Sequence, residues 1–202
     1  MKTYKVGENI LSVDLINEII SKDLKLSISS IAEKRIKDSK KYLNKKIEST
    51  NDPIYGINTG FGSLYDQKIS KQDLSELQKN LVMSHACGVG EEVPCELVRL
   101  ILLLKIQSLS YGNSGVNLST VKRLIEMYNN RVLPVIYEQG SLGASGDLAP
   151  LAHMSLPLLG LGEVDVPGVS NNGDYRRKNS SKVLKEFGWR ALSLESKEGL
   201  AL

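Results

Sequence analysis

The segment from Gly140 to Pro150, GSLGASGDLAP, constrains the fold of this chain more strongly than any other stretch. Six of its first seven residues are glycine, alanine or serine. Bulky side chains are thus absent where a tightly turning backbone would have no room for them, and glycine tolerates conformations that other residues avoid. The composition predicts a tight turn centred on Ala144-Ser145-Gly146, or a site where another element packs closely.

The same tripeptide also permits a reaction of the backbone with itself. If the Gly146 amide nitrogen attacks the carbonyl carbon of Ala144, a five-membered ring closes, and loss of one water completes it. Loss of the Ser145 hydroxyl as a second water leaves a methylidene group on the ring. The resulting methylidene-imidazolone is an electrophile that no ordinary side chain supplies, so the chain would make its own cofactor. The tripeptide alone does not decide between this chemistry and a plain turn.

Composition places the chain among soluble globular proteins and argues against nucleic acid as a partner. Its 202 residues suffice for one sizeable domain, and 41% hydrophobic with 24% charged residues is ordinary for that class. The net charge of +3 is small and dispersed. The lysines between residues 34 and 46 alternate with apolar residues, which indicates an exposed helix face.

Cysteine content and hydropathy favour a cytoplasmic protein that does not enter a membrane. Cys87 and Cys95 are the only cysteines, too few for a disulfide framework. The first residues contain no apolar signal core. The longest apolar run, Leu97 to Leu109, is interrupted by two basic residues and a glutamine and is too short to span a bilayer.

Apolar periodicity and capping residues predict a mainly α fold with one small β-hairpin. The hairpin pairs residues 163–166 with residues 174–177 around Asn171-Asn172-Gly173, and extended backbone is expected at 6–11 and 132–136. The predicted helices follow caps at Ser12, Ser70, Ser119 and Asp147, begin at Pro94, or span about residues 29–49 and 181–187. Pro157 is expected to kink the helix over residues 148–159.

Two further stretches leave more than one interpretation open. Residues 54–62, IYGINTGFG, carry three glycines and cannot form a regular helix or strand. Their spacing matches no phosphate-binding loop, and Tyr55 could simply pack in a core. His85 lies near the predicted end of a helix, where a histidine usually caps or packs.

Three separate segments resemble the aromatic amino acid ammonia-lyases and aminomutases, and within that family the histidine ammonia-lyase branch. They are PIYGINTGFG at Pro53–Gly62, SHACGVG at Ser84–Gly90 and GSLGASGDLAPLAHM at Gly140–Met154; the terminal KEGLAL also matches. The resemblance covers essentially the whole chain in the family's order. It implies that residues 1–202 form the N-terminal, electrophile-bearing domain of the fumarase/aspartase-like ammonia-lyase fold, without the long central helix bundle.

The resemblance also implies a role for individual residues. Tyr55 would be the base that removes the substrate's β-proton, and His85 would contact the substrate side chain. Asn58, Thr59 and Gly60 would shape the loop that carries Tyr55, with Asn58 and Gly60 close to the substrate. The residues implied at the electrophile are Ala144, Ser145 and Gly146, which form it, and Asp147, which assists.

The implied reaction is elimination of ammonia from L-histidine to give urocanate, without external cofactor or metal. Tyrosine-specific relatives typically carry leucine after the histidine, whereas this chain has Ala86, which favours histidine. The alternatives are a tyrosine or phenylalanine ammonia-lyase or aminomutase, or an inactive remnant. The chain stops before the family's Asn-Gly-Thr-Gln segment and its carboxylate-binding arginine. We therefore expect a homotetramer for the full-length enzyme and no activity from the 202-residue chain alone.

Overall fold

Helices dominate the computed structural model, which describes residues 2–50, 52–62, 65–70, 73–168 and 174–202. The predicted mainly α fold is confirmed. Within these ranges, no helix is both long and apolar enough to cross a membrane. The α-helices are α1 Val13–Ser21, α2 Ser30–Ser49, α3 Leu74–His85, α4 Cys95–Ser110, α5 Leu118–Asn129, α6 Ala149–Ser155, α7 Ser180–Glu186 and α8 Glu198–Ala201.

Short strands form several small sheets among the described residues, whereas the sequence predicted only one small hairpin. The predicted hairpin is present as two antiparallel strands, Glu163–Pro167 and Tyr175–Asn179, and Leu133–Pro134 extends it to three strands. Its predicted turn at residues 171–173 lies outside the described residues. Extended backbone was expected at residues 6–11, but the strand there, Thr3–Val6, overlaps that range only at Val6; it pairs in parallel with Lys25–Ile28. The strands are β1 Thr3–Val6, β2 Lys25–Ile28, β3 Val89–Glu92, β4 Leu133–Pro134, β5 Tyr137–Gln139, β6 Leu142–Gly143, β7 Gly146–Asp147, β8 Glu163–Pro167 and β9 Tyr175–Asn179.

Helix α4 is the centre of the core, where it packs against α2 and α5. Leu102, Leu103 and Ile106 are completely buried between these neighbours. Although its sequence is apolar nearly all round, the helix is not buried on every side, since Leu97 and Leu104 are 51% and 44% exposed. The described elements cover only one side of the helix, and Leu97 and Leu104, which are seven residues apart, lie together on the uncovered side.

Local capping accounts for some helix starts but not for all. Ser12 accepts a hydrogen bond from the backbone amide three residues ahead, as predicted, and Ser29 does the same at the start of α2, where the helix itself was expected to begin. Ser70 was wrong as a cap, because α3 starts after Asp73 and the Ser70 hydroxyl bonds to Asp73 in the preceding turn. Ser119 was also wrong, because it lies inside α5, which starts one residue earlier.

A buried glutamate from the far end of the chain binds the start of α5. The Glu198 carboxylate accepts hydrogen bonds from the Asn117 backbone (2.9 Å) and side-chain (2.8 Å) amides, and from the Thr120 hydroxyl (2.7 Å). It also accepts the Glu195 amide at 2.8 Å. These donors satisfy the carboxylate although Glu198 is only 1% exposed, and its negative charge also suits a helix N-terminus.

The rest of the C-terminal segment, residues 196–202, is fastened to three other parts of the fold. Ser196 donates to the Ile57 carbonyl at 2.6 Å, and Lys197 donates to the Ser114 carbonyl at 2.7 Å. The Gly199 amide donates to the side chain of Gln78 in α3 at 2.9 Å. A Cβ on Gly199 would lie 2.6 Å from the Gln78 carbonyl oxygen, so only glycine fits here.

The helix after the small-residue segment is linked to the loop that follows α3. The buried His153 ring of α6 accepts the Gly88 amide through Nε2 at 2.9 Å and meets the Tyr137 ring edge-on. Ahead of Pro157 the α-helix ends and a 3-10 helix, Leu156–Leu159, continues, in line with the predicted kink. The His153 bond was not foreseen, since nothing local in the sequence pairs residues 88 and 153.

We predict that Glu198→Ala lowers the free energy of unfolding by about 3 kcal/mol or more, because it leaves several buried donors without a partner. Urea unfolding followed by circular dichroism measures the loss. Glu186→Ala is the matched control, since Glu186 is half exposed and pairs with Lys178 at the surface. It should cost less than about 1 kcal/mol. An equal cost for both variants would show that the hydrogen bonds to Glu198 contribute no special stability.

We predict that His153 makes the protein less stable in acid. Burial lowers the pKa of His153, because its protonated ring would lose water. The unfolded chain takes up this proton near about pH 6.5. Stability from the neutral ring is therefore complete above that pH and is lost as pH falls toward the lower folded-state pKa.

Urea midpoints at about pH 7.5 and about pH 5.5, on either side of the histidine range, test this prediction. The wild type should lose more stability between them than His153→Met, which keeps a buried side chain but cannot titrate. All other titrating groups are common to both proteins, so equal losses would show that His153 contributes nothing.

Candidate active site

The small-residue segment forms a tight hairpin whose tip is the Ala-Ser-Gly tripeptide. Strands β6 and β7 pair Gly143 with Gly146, which leaves Ala144 and Ser145 as a two-residue turn. Both turn residues are exposed. Gly146 has a φ of +83°, which strongly favours glycine, and no atom lies within 4 Å of the position a Cβ would occupy there. The predicted tight turn is therefore present, with open space beside it.

Asp147 is held at the base of this hairpin. Its Oδ1 accepts the Ala149 amide at 3.0 Å, so it binds the first turn of α6 although the cap position itself is Leu148. A Cβ on Gly140 would lie 2.0 Å from the same Oδ1. Gly140 thus leaves the space that the Asp147 carboxylate occupies, directly after the tripeptide.

Tyr55 lies on an exposed turn and not in the core. The Ile57 and Asn58 amides both donate to the Ile54 carbonyl, which closes the turn beneath the ring. The side chain is 58% exposed and meets Phe61 edge-on, with 5.8 Å between ring centroids. The interpretation that Tyr55 simply packs in a core is therefore wrong.

The residues that follow Tyr55 form the buried support of that turn. Asn58 accepts the Ile54 amide at 2.6 Å and donates to the Asp52 carbonyl at 3.0 Å. Thr59 is completely buried, and the Gly60 amide donates to the Gln67 carbonyl. This arrangement fits the loop-shaping role. Tyr55 lines a cavity of about 440 Å³ that neither Asn58 nor Gly60 lines, so the contact of these two residues with a substrate stays a prediction.

His85 is the last residue of α3, and its hydrogen bonds define the state of its ring. Nδ1 lies 2.8 Å from the Leu81 carbonyl, which can only accept, so Nδ1 carries the proton. The Ser84 hydroxyl donates to the same carbonyl at 3.0 Å. In the neutral ring, Nε2 is consequently a hydrogen-bond acceptor, and His85 is only half-buried.

One cavity of about 440 Å³ brings Tyr55, His85 and Ser145 together from three distant parts of the chain. A smaller cavity of about 270 Å³ shares His85 and Ser145 and is also lined by the rest of the tripeptide. Most of the larger cavity's wall is apolar: Phe61, Leu81, Val82, Leu148, Leu151, Ala152, Leu200 and Leu202. In the described part of the chain, no cluster of three or more His, Cys, Asp or Glu side chains could hold a metal ion.

Residues of the terminal KEGLAL segment and Lys105 also line this cavity, although no place in the site was predicted for either. Gly199, Leu200 and Leu202 form part of its wall, and Lys105 reaches it from α4. A Cβ on Gly56 would lie 2.5 Å from the Leu200 side chain, so the Tyr55 turn rests directly on this segment. The match to KEGLAL was the only available signal, and it carried no chemistry of its own.

Comparison with known proteins gives consistent matches. The family model for aromatic amino acid lyase matches residues 11–202. The histidine ammonia-lyase of Caldanaerobacter subterraneus subsp. tengcongensis is 43% identical over 202 residues, covering 100% of this chain and 38% of the relative.

Solved structures give the same result. The histidine ammonia-lyase from Trypanosoma cruzi superposes with a TM-score of 0.83 at 35% identity, over 100% of this chain and 37% of the other. The tyrosine aminomutase from Streptomyces globisporus superposes with a TM-score of 0.84 at 32% identity, over 98% and 36%. This chain therefore spans little more than a third of the length of these proteins. Because the family model covers nearly all of its residues, the chain belongs to the aromatic amino acid lyase family.

Proposed function

We propose that this chain is the electrophile-bearing part of a histidine ammonia-lyase, a carbon–nitrogen lyase that eliminates ammonia from L-histidine to give urocanate. The observation that carries the proposal is the meeting of Tyr55, His85 and Ser145 at one cavity. The 43% identity to a histidine ammonia-lyase supports this choice of substrate. The rest of the enzyme's length would complete the site.

The Ala144-Ser145-Gly146 turn fits a methylidene-imidazolone formed from its own atoms. The turn is exposed, Gly146 has the backbone freedom that ring closure needs, and open space surrounds it. Asp147, fixed by the Ala149 amide, provides a carboxylate next to the ring-forming residues. When present, this group supplies an electrophilic carbon that turns the substrate's amine into a better leaving group.

Tyr55 is suited to removing the β-proton of the substrate. That proton is weakly acidic, so it must be taken by a base that is positioned close to it. The Tyr55 ring stands on a turn supported by Asn58 and faces the cavity that Ser145 also lines. Its hydroxyl oxygen, once deprotonated, would accept the proton and return it to solvent.

His85 is suited to recognising the imidazole ring of the substrate. Its Nε2 can accept a hydrogen bond, and a neutral imidazole offers one N–H to donate. A phenyl ring offers none, which disfavours phenylalanine. A tyrosine hydroxyl could donate, and the TM-score of 0.84 to a tyrosine aminomutase makes tyrosine the second candidate substrate.

The remaining expectations belong to the whole enzyme. We propose a cytoplasmic homotetramer that uses L-histidine and has neither nucleic acid nor membrane partners. The isolated chain should show no measurable deamination, because small misplacements near the reacting atoms can cost about a hundredfold in rate. The arginine implied for the substrate carboxylate belongs to the later part of the family's sequence.

We predict that Ser145→Ala prevents formation of the electrophile, because alanine has no hydroxyl to lose. The chain would be co-expressed with the remaining length of the Caldanaerobacter relative, and its mass measured intact. The mass of the wild-type chain should be lower than the mass calculated from its sequence by two water molecules. Ser141→Ala, which changes a serine of the same segment outside the tripeptide, should keep both losses. Two water losses in Ser145→Ala would refute the assignment.

We predict that Tyr55→Phe in the same co-expressed enzyme keeps the two water losses but lowers turnover about a hundredfold to ten-thousandfold. Urocanate absorbance measures the rate with L-histidine. Tyr65→Phe, which alters an exposed tyrosine nearby, should be close to wild type. Near wild-type activity of Tyr55→Phe would exclude it as the base, and turnover of tyrosine in place of histidine would favour the second candidate.

A further inference from the structure

The cavity that holds Tyr55, His85 and Ser145 also contains a cation. Lys105 reaches it from α4 and donates from Nζ to the Ala201 carbonyl at 3.1 Å. None of the described residues that line this cavity is an aspartate or a glutamate. The ammonium group therefore lies in a mostly apolar space, and its hydrogen-bond partner is a carbonyl oxygen.

This environment is costly for a charged amine. Burial lowers the pKa of Lys105, because its ammonium has exchanged water for apolar neighbours. An ammonium carries three N–H donors, and the Ala201 carbonyl uses one of them. A carboxylate entering the cavity would both neutralise the charge and accept from the remaining donors.

We propose that Lys105 forms a carboxylate-binding subsite of this cavity, holding the carboxylate of the amino-acid substrate and of the unsaturated acid product. The inference rests on the proposed function and deepens it. His85 would take the ring N–H while Lys105 takes the opposite, anionic end, which orients the β-carbon toward Tyr55. A later arginine, if present, would act on the same carboxylate together with Lys105.

Lys197 provides a matched control within the same chain. Burial also lowers its pKa, and its Nζ also donates to a backbone carbonyl, that of Ser114 at 2.7 Å. It is not among the residues that line the cavity. Replacing either lysine by methionine thus removes one charge and one bond to a carbonyl, but only Lys105→Met changes the cavity.

The test is isothermal titration, with urocanate and with its uncharged methyl ester, of the chain co-expressed with the remaining length of the Caldanaerobacter relative. Lys105→Met should lower the affinity for urocanate about tenfold to a hundredfold, the usual effect of losing a hydrogen bond between charged groups. The affinity of Lys105→Met for the ester should change by less than about threefold. Lys197→Met should bind both ligands with affinities within about threefold of wild type. The terminal carboxylate of Leu202 is present in every variant, so its competition is common to all.

The outcomes separate the subsite from the proposed function. If wild type binds both ligands and Lys105→Met binds urocanate equally well, the subsite is overturned while the substrate assignment stands. If wild type binds neither ligand, the substrate assignment for this cavity fails and the subsite fails with it. Should Lys105→Met not fold, Lys105→Gln keeps a donor for Ala201 without the charge. Should neither fold, wild type binding the ester as tightly as urocanate would overturn the proposal.

Discussion

The buried Glu198 carboxylate is the interaction on which the geometry of the site depends. It is surrounded by donors from the start of α5 and from Glu195, which is what allows a charge to stay in the interior. By fixing α8 it also fixes Leu200 and Leu202 in the cavity wall. The Tyr55 turn lies on Leu200. A buried carboxylate more than a hundred residues away in sequence therefore decides where the proposed base stands.

Packed helices hold two of the proposed functional groups, His85 and Ser145, at or near their ends, where short loops give them access to the cavity. His85 closes α3, and Ser145 lies just ahead of α6, while α3 contacts both α6 and α8. The His153–Gly88 hydrogen bond joins α6 to the loop that leaves α3. Placing exposed functional groups on loops that a packed scaffold supports is a common solution for enzymes.

Features that depend on neighbouring residues were predictable from sequence, and features that depend on distant partners were not. The caps at Ser12 and Ser29 and the turn at the tripeptide follow from local chemistry. The pairing of β1 with β2 and the capping of α5 by Glu198 depend on contacts that no periodicity reveals. For the same reason Lys105 looked like an interruption of an apolar run, and only packing shows that it faces the cavity.

Under the proposed function, each polar group of the cavity interacts with one part of a single substrate. The electrophile formed at Ser145 would react with the amine, and Tyr55 would accept the β-proton. His85 would accept the ring N–H, and Lys105 would bind the carboxylate. The wall between these groups is mostly apolar, so a molecule that lacks one of these parts leaves a polar group there without a partner. Such an unpaired group costs more than the corresponding bond contributes in water, and this asymmetry is how a site rejects near-analogues. Selectivity would therefore arise from satisfying all four groups at once, and not from the strength of any one contact.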